Sequence, residues 1–179
     1  MTVTTVRVDR FDRTRTFGWY RNDAQQSPRG AYLFDVGVIA LAHTDAPVRD
    51  AALSYVRRAI AGEIEAVVPY PALVGAHTVL TTYYGRSNAD ASRLLENFMD
   101  ARRINWCDRL SEVAVRGGFE RAGAANVDGW DGYYAEVASA EGVNTVVTLD
   151  DDFERFEEFD TEIVLSPAEF EELNAYLER

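Results

Sequence analysis

From Ala31 onward, short apolar runs alternate with stretches of helical periodicity, each closed by a turn signal. Ala31-Tyr32-Leu33-Phe34 predicts a buried strand, and Val36 to Ala42 a short helix. A longer helix is predicted from Pro47 to Ala61, stopped by Gly62. Glu65 to Val68 reads as a second strand and Pro71 to Tyr84 as a helix with Gly85 at its end. Asn88 is the expected cap of the next helix, which runs to about Arg102, so that Arg102 and Arg103 complement its dipole. Ile104 to Trp106 follows as a short strand. A helix is expected from Asp108 to about Phe119, with Gly117-Gly118 as a helix break.

Asp128 is placed to cap a helix over Gly129 to Glu141 that Gly142 ends. Asn144 to Thr148 is a β-branched strand, and Glu162 to Leu165 a further one. Ser166-Pro167-Ala168-Glu169 is a capping box with Pro at the first helical position, opening a last helix to Leu177. Strands separated by helices predict an α/β fold with a mostly parallel central sheet covered on both faces.

Residues 1–30 do not share this pattern and are read as an Arg-rich N-terminal extension of a domain spanning 31–179. Thr2 to Val8 alternates well enough for an added strand, and Asn22 to Gly30 reads as a linker. The extension holds six Arg and three Asp, a net of +3, which leaves −15 on the rest of a chain whose total is −12. All 18 basic residues are Arg. Strong acidity without Lys points to a halophilic, high-GC source, because dense carboxylates keep a protein hydrated where salt competes for water; the alternative is an ordinary acidic mesophilic protein. The acidity repels nucleic acid at low salt. At about 1 M salt the Debye length is only ~3 Å, and local contacts decide binding.

No apolar run approaches the ~18 residues of a membrane span, and the start lacks the apolar core of a signal peptide. The single cysteine, Cys107, excludes a disulfide framework and a zinc–thiolate cluster. The expectation is a cytoplasmic protein with no membrane partner. Walker, dinucleotide and Ser-His-Asp signatures are missing. His43 has no evident partner. The aromatic runs Trp19-Tyr20 and Trp130 to Tyr134 read as core packing or as a homodimer contact before base stacking.

The candidate chemistry lies at the strand ends. Ligands of such sheets bind beyond the carboxyl ends of the strands. Asp35 directly follows the first strand, and Asp150 follows the strand through Leu149. Asp131 sits in the first turn of the Asp128-capped helix, which can aim it at the same edge. Three carboxylates so placed repel one another unless a cation joins them, and Mg²⁺ or Mn²⁺ suits oxygen ligands. Asp152, and with less reason Asp151, are further candidate contacts; either also serves as an ordinary loop residue.

These segments resemble the PIN-domain family of metal-dependent ribonucleases, which includes the VapC-type toxins. Leu33-Phe34-Asp35-Val36-Gly37-Val38-Ile39 is similar to its first strand and short helix, and Val67 to Val74 to its second strand and following helix. Asp131 with Ala135 and Ala138 resembles its acidic residue opening an alanine-rich helix. Thr148-Leu149-Asp150 with Phe153 resembles its Thr-x-Asp signature after the fourth strand.

The resemblance covers about residues 31 to 166 and implies a three-layer α/β/α fold. It also implies Asp35, Asp131 and Asp150 as catalytic metal ligands, an RNA substrate, and a possible antitoxin partner. Two positions depart from it. Gly75 stands where the family usually has Glu, and Gly37 where it often has Ser or Asn. His77, two residues past Gly75, points to another helix face and is expected to be structural. Three readings remain: an active ribonuclease, a degenerate PIN-like domain that binds RNA or protein without cleaving, and a phosphoacceptor receiver domain. The last needs a Lys that this chain lacks.

Overall fold

A computed structural model describes residues 30–178. Five strands form one parallel sheet: β1 (Ala31–Phe34), β2 (Glu65–Pro69), β3 (Ile104–Cys107), β4 (Val143–Thr148) and β5 (Asp160–Ile163). Their spatial order is β3-β2-β1-β4-β5. Leu33, Phe34, Val67, Val68, Val146 and Val147 are buried. Both faces of the three inner strands therefore need cover, as their unbroken apolar runs require.

Helices α1 (Val36–Ala42), α2 (Arg49–Ala61), α3 (Tyr70–Thr82) and α4 (Asn88–Met99) connect β1 through β3. Helices α5 (Glu112–Ala125) and α6 (Gly129–Glu141) carry the chain from β3 to β4, on the far side of β1. Because parallel crossovers are right-handed, this reversal of direction puts α5 and α6 on the opposite face from α1 to α4. A 3-10 turn (Asp152–Arg155) precedes β5, and α7 (Pro167–Leu177) closes the chain with the predicted capping box at Ser166.

Several strand and helix ends shift by one or two residues, and four departures from expectation are larger or chemically distinct. Ser87, not Asn88, caps α4: its side chain accepts from the Asp90 N–H. That helix ends at Met99, so Arg102 and Arg103 lie in the turn beyond it, and the Arg103 guanidinium donates instead to the Ala61 carbonyl at the end of α2. β5 begins two residues early; as a half-exposed edge strand it carries a weak apolar signal.

The fourth difference is the largest. Gly117-Gly118 does not break a helix. The Asp108-Arg109-Leu110 stretch is a loop, and α5 starts at the Ser111 cap and runs through both glycines to Ala125. A β-carbon at Gly118 would lie 2.7 Å from the Tyr133 Cα, and one at Gly132 would lie 2.2 Å from the Gly118 carbonyl oxygen. The two helices thus touch backbone to backbone, and this contact outweighs the ~1 kcal/mol helical penalty of a glycine. The expected strand at Thr2 to Val8 and the aromatic pair Trp19-Tyr20 lie outside the described residues.

Candidate metal centre

The order of the strands makes a switch point between β1 and β4, where connections leave in opposite directions. Phe34 is in register with Val147, and the Asp35 N–H extends the ladder to the Val147 carbonyl at 3.0 Å. Asp35 and Asp150 therefore emerge side by side at the carboxyl edge.

Asp35 ends β1 and caps α1 in one residue. Its Oδ1 accepts the Val36 N–H at 2.6 Å, and its Oδ2 accepts the Thr148 hydroxyl at 3.2 Å. Thr148 is fully buried, and its Oγ1 also accepts the Asp150 N–H at 3.2 Å. One hydroxyl thus ties the ends of β1 and β4 together. Asp131 reaches the cluster from the first turn of α6, which Asp128 caps by accepting the N–H groups of Trp130 and Asp131.

Asp35 and Asp131 are each only 8% exposed. Burial pushes the Asp35 carboxyl up to about 6; the Val36 N–H and Thr148 oppose the rise, and Asp150 adds to it. Burial also pushes Asp131 up to about 7, helped by the negative charges of Asp128, Asp150, Asp35 and Asp152. Asp150 is raised by burial and by the neighbouring Asp152, Asp151 and Asp128, against the pull of the Asp152 N–H. The three predicted residues form one electrostatic unit.

Asp152 stands beside it: its N–H donates to Asp150 Oδ1 at 3.1 Å, while its carboxylate pairs with Arg155 at 3.2 Å. Asp151 is exposed and, with Asp150, lines a depression of about 460 Å³ walled by Leu149, Ile163, Leu165 and Phe170. A second depression, about 450 Å³, borders Asp128 and is lined by Leu110, Phe119 and Trp130.

The donor set fits a hard divalent cation: several carboxylates, little else, and a mutual repulsion that positive charge relieves. Among the described residues, no three His, Cys, Asp or Glu side chains are drawn close enough to share one ion. Joining Asp35, Asp131 and Asp150 on a cation therefore requires their side chains to turn.

Both departures from the family pattern have a packing partner. A β-carbon at Gly75 would lie 2.9 Å from Val36 Cγ2. One at Gly37 would lie 3.0 Å from Leu149 Cδ1. Val36 and Leu149, the residues beside Asp35 and Asp150, fill the space where larger side chains would stand. His77 does not substitute for an acid at position 75; its Nε2 lies 3.2 Å from Ser92 Oγ on α4. His43 is tied to the Ile39 carbonyl at 2.7 Å and packs on Phe98. Cys107 is a buried free thiol, pushed up to about 11 by burial and by Glu141.

Sequence reasoning took Tyr134 only as part of an aromatic packing run. It is fully buried, and its hydroxyl has no hydrogen-bond partner among the described residues. Leaving a hydroxyl so placed costs about 1–3 kcal/mol. Its spacing of three from Asp131 on one helix was the available signal.

No family model matches the chain, and no curated protein matches it. Several solved structures share its architecture, among them the following two. A chain of VapBC2 from Rickettsia felis, a complex bound to a fragment of its promoter DNA, superposes with a TM-score of 0.56 at 16% identity, covering 74% of this chain and 97% of that one. PAE2754 from Pyrobaculum aerophilum superposes with a TM-score of 0.52 at 20% identity, covering 74% and 89%. The fold is PIN-like. At these identities the likeness is one of fold alone. The PIN-like sheet presents Asp35, Asp131 and Asp150 at its carboxyl edge, and no helix among the described residues is long and apolar enough to cross a membrane.

Proposed function

We propose that this chain is a metal-dependent ribonuclease and acts as the toxin of a toxin–antitoxin pair. The observation that carries the reading is the placement of Asp35, Asp131 and Asp150 at the switch point of a PIN-like sheet, with Asp35 and Asp150 tied through Thr148 and Asp131 brought in by the first turn of α6. Two carboxylates buried at one edge beside a third, as Asp35 and Asp131 are beside Asp150, are what a cation site needs and what a purely structural edge avoids.

Asp35, Asp131 and Asp150 hold Mg²⁺ or Mn²⁺, with Asp152 at the margin. Thr148 orients Asp35, and the Asp128 cap fixes the turn that carries Asp131. A divalent cation, when bound, supplies a water of lowered pKa and neutralises charge on an RNA phosphodiester. The toxin role rests on the likeness of fold to a chain of the VapBC2 complex; the partner would be a small antitoxin protein.

The test is RNA cleavage in high salt with Mg²⁺ or Mn²⁺, beside Asp35→Asn and Asp150→Asn. Metal-dependent cleavage lost in both variants supports the enzyme. Absence of cleavage, with no rise in melting temperature on adding Mn²⁺, overturns it. For the toxin role, expression of the wild type should arrest growth, Asp35→Asn should not, and a small protein encoded immediately upstream should rescue.

A second reading is a PIN-like domain that binds RNA or a protein without cleaving. It is favoured by Val36 and Leu149, apolar groups packed against Gly75 and Gly37 where the family resemblance leads one to expect polar supports. Mn²⁺ binding without cleavage would select it.

A further inference from the structure

Tyr134 poses a problem that folding alone does not answer. Phe in its place would fill nearly the same volume without desolvating a hydroxyl, yet the buried hydroxyl lacks a partner among the described residues. The ring is held firmly. Trp130 stacks on it with centroids 5.9 Å apart and planes 21° from parallel, and Tyr133 meets it edge-on at 5.3 Å. Tyr134 lies one turn beyond Asp131 on the same face of α6. Burial first, then the charge of Asp35, then Tyr133, Asp131 and Asp128, hold its phenol well above the usual tyrosine range. Asp35 thus acts on this phenol from a different element, the end of β1.

A buried donor without an acceptor calls for an explanation, and a functional partner is one. The Asp35 oxygens are turned to Val36 and Thr148. Gathering the carboxylates on an ion turns them. We propose that Tyr134 is a positioning residue of the metal centre: with a divalent cation bound, its hydroxyl donates to the Asp35 carboxylate and fixes how that carboxylate faces the ion. The inference rests on the metal-site reading above. It assigns to α6 a polar support that position 75, on the opposite face of the sheet, does not supply. Partners of this kind, one layer behind the ligands, typically change metal affinity about 10–100-fold.

The test is calorimetric titration of Mn²⁺ into the full-length wild type and Tyr134→Phe, with melting temperatures of both cation-free proteins. The expected result is affinity weakened about tenfold or more in Tyr134→Phe, while the cation-free protein melts at the same temperature or higher. A merely structural tyrosine gives the opposite pattern, lower melting with unchanged affinity, and that result overturns the inference. Equal affinities also overturn it, but leave the metal site standing. If the wild type binds no Mn²⁺, the metal-site reading itself fails and the role of Tyr134 falls with it.

Discussion

The Thr148 hydroxyl donates to Asp35 Oδ2 across the junction of β1 and β4 while accepting the Asp150 N–H, so one side chain sets the spacing of two acidic corners. Thr148→Val keeps the shape and removes both bonds. Asp35 is left buried with one partner fewer, and its carboxyl is expected to rise further above about 6. A hydrogen bond to a charged group contributes about 1.5–3 kcal/mol, so urea denaturation at neutral pH should show a loss of that order. An unchanged midpoint would mean that the bond contributes nothing.

Acidity provides a second handle. Asp131 titrates near 7 in the fold and near 3.9 in an unfolded chain, so the folded state binds the proton more tightly. Its contribution favours folding fully below pH ~3.9 and is lost as pH rises through about 7. The cation-free protein should therefore melt higher at pH 5 than at pH 8, and Asp131→Asn should narrow that gap. About 1 kcal/mol corresponds to ~2–4 °C for a domain this size. Stabilisation by Mn²⁺ should run the other way, growing from pH 5.5 to pH 8, because ligands bind ionised. A pH-independent effect of Mn²⁺ would contradict the assignment of these carboxylates as its ligands.

Position 75 allows a constructive test. Gly75→Glu alone drives a β-carbon into Val36 and should destabilise by about 1–3 kcal/mol, the usual cost of overpacking. Adding Val36→Ala removes the obstructing methyl groups and should restore much of that loss. The paired variant should also bind Mn²⁺ more tightly than the wild type. If Gly75→Glu is tolerated without the second change, the close packing does not constrain this position.

Much of this was legible in the chain. The bounds of β1 and α1 coincide with the predicted ones, and Asp35 and Asp150 follow strands whose parallel pairing was implied by the intervening helices. The Asp128 cap and the Ser166 capping box are local chemistry and were read directly. What escaped depends on a partner from elsewhere in the fold. Gly118 looks like a breaker until Tyr133 is laid against it. Gly75 looks like a deletion of function until Val36 fills the space. Periodicity marks Tyr134 as core, but cannot say that its hydroxyl lacks an acceptor or that Asp35 lies near.

The backbone contact between α5 and α6 has a consequence for how the cluster can be tuned. Gly132, which meets the Gly118 carbonyl, is the residue next to Asp131. The separation of the two helices is therefore a spacer gauge for one acidic corner, while the other two are fixed by the sheet. A single methyl group at position 118 would thicken that spacer and shift Asp131 against Asp35 without touching either carboxylate. Sensitivity of the site to substitution should thus extend along α5, a helix that contributes none of the three acidic corners.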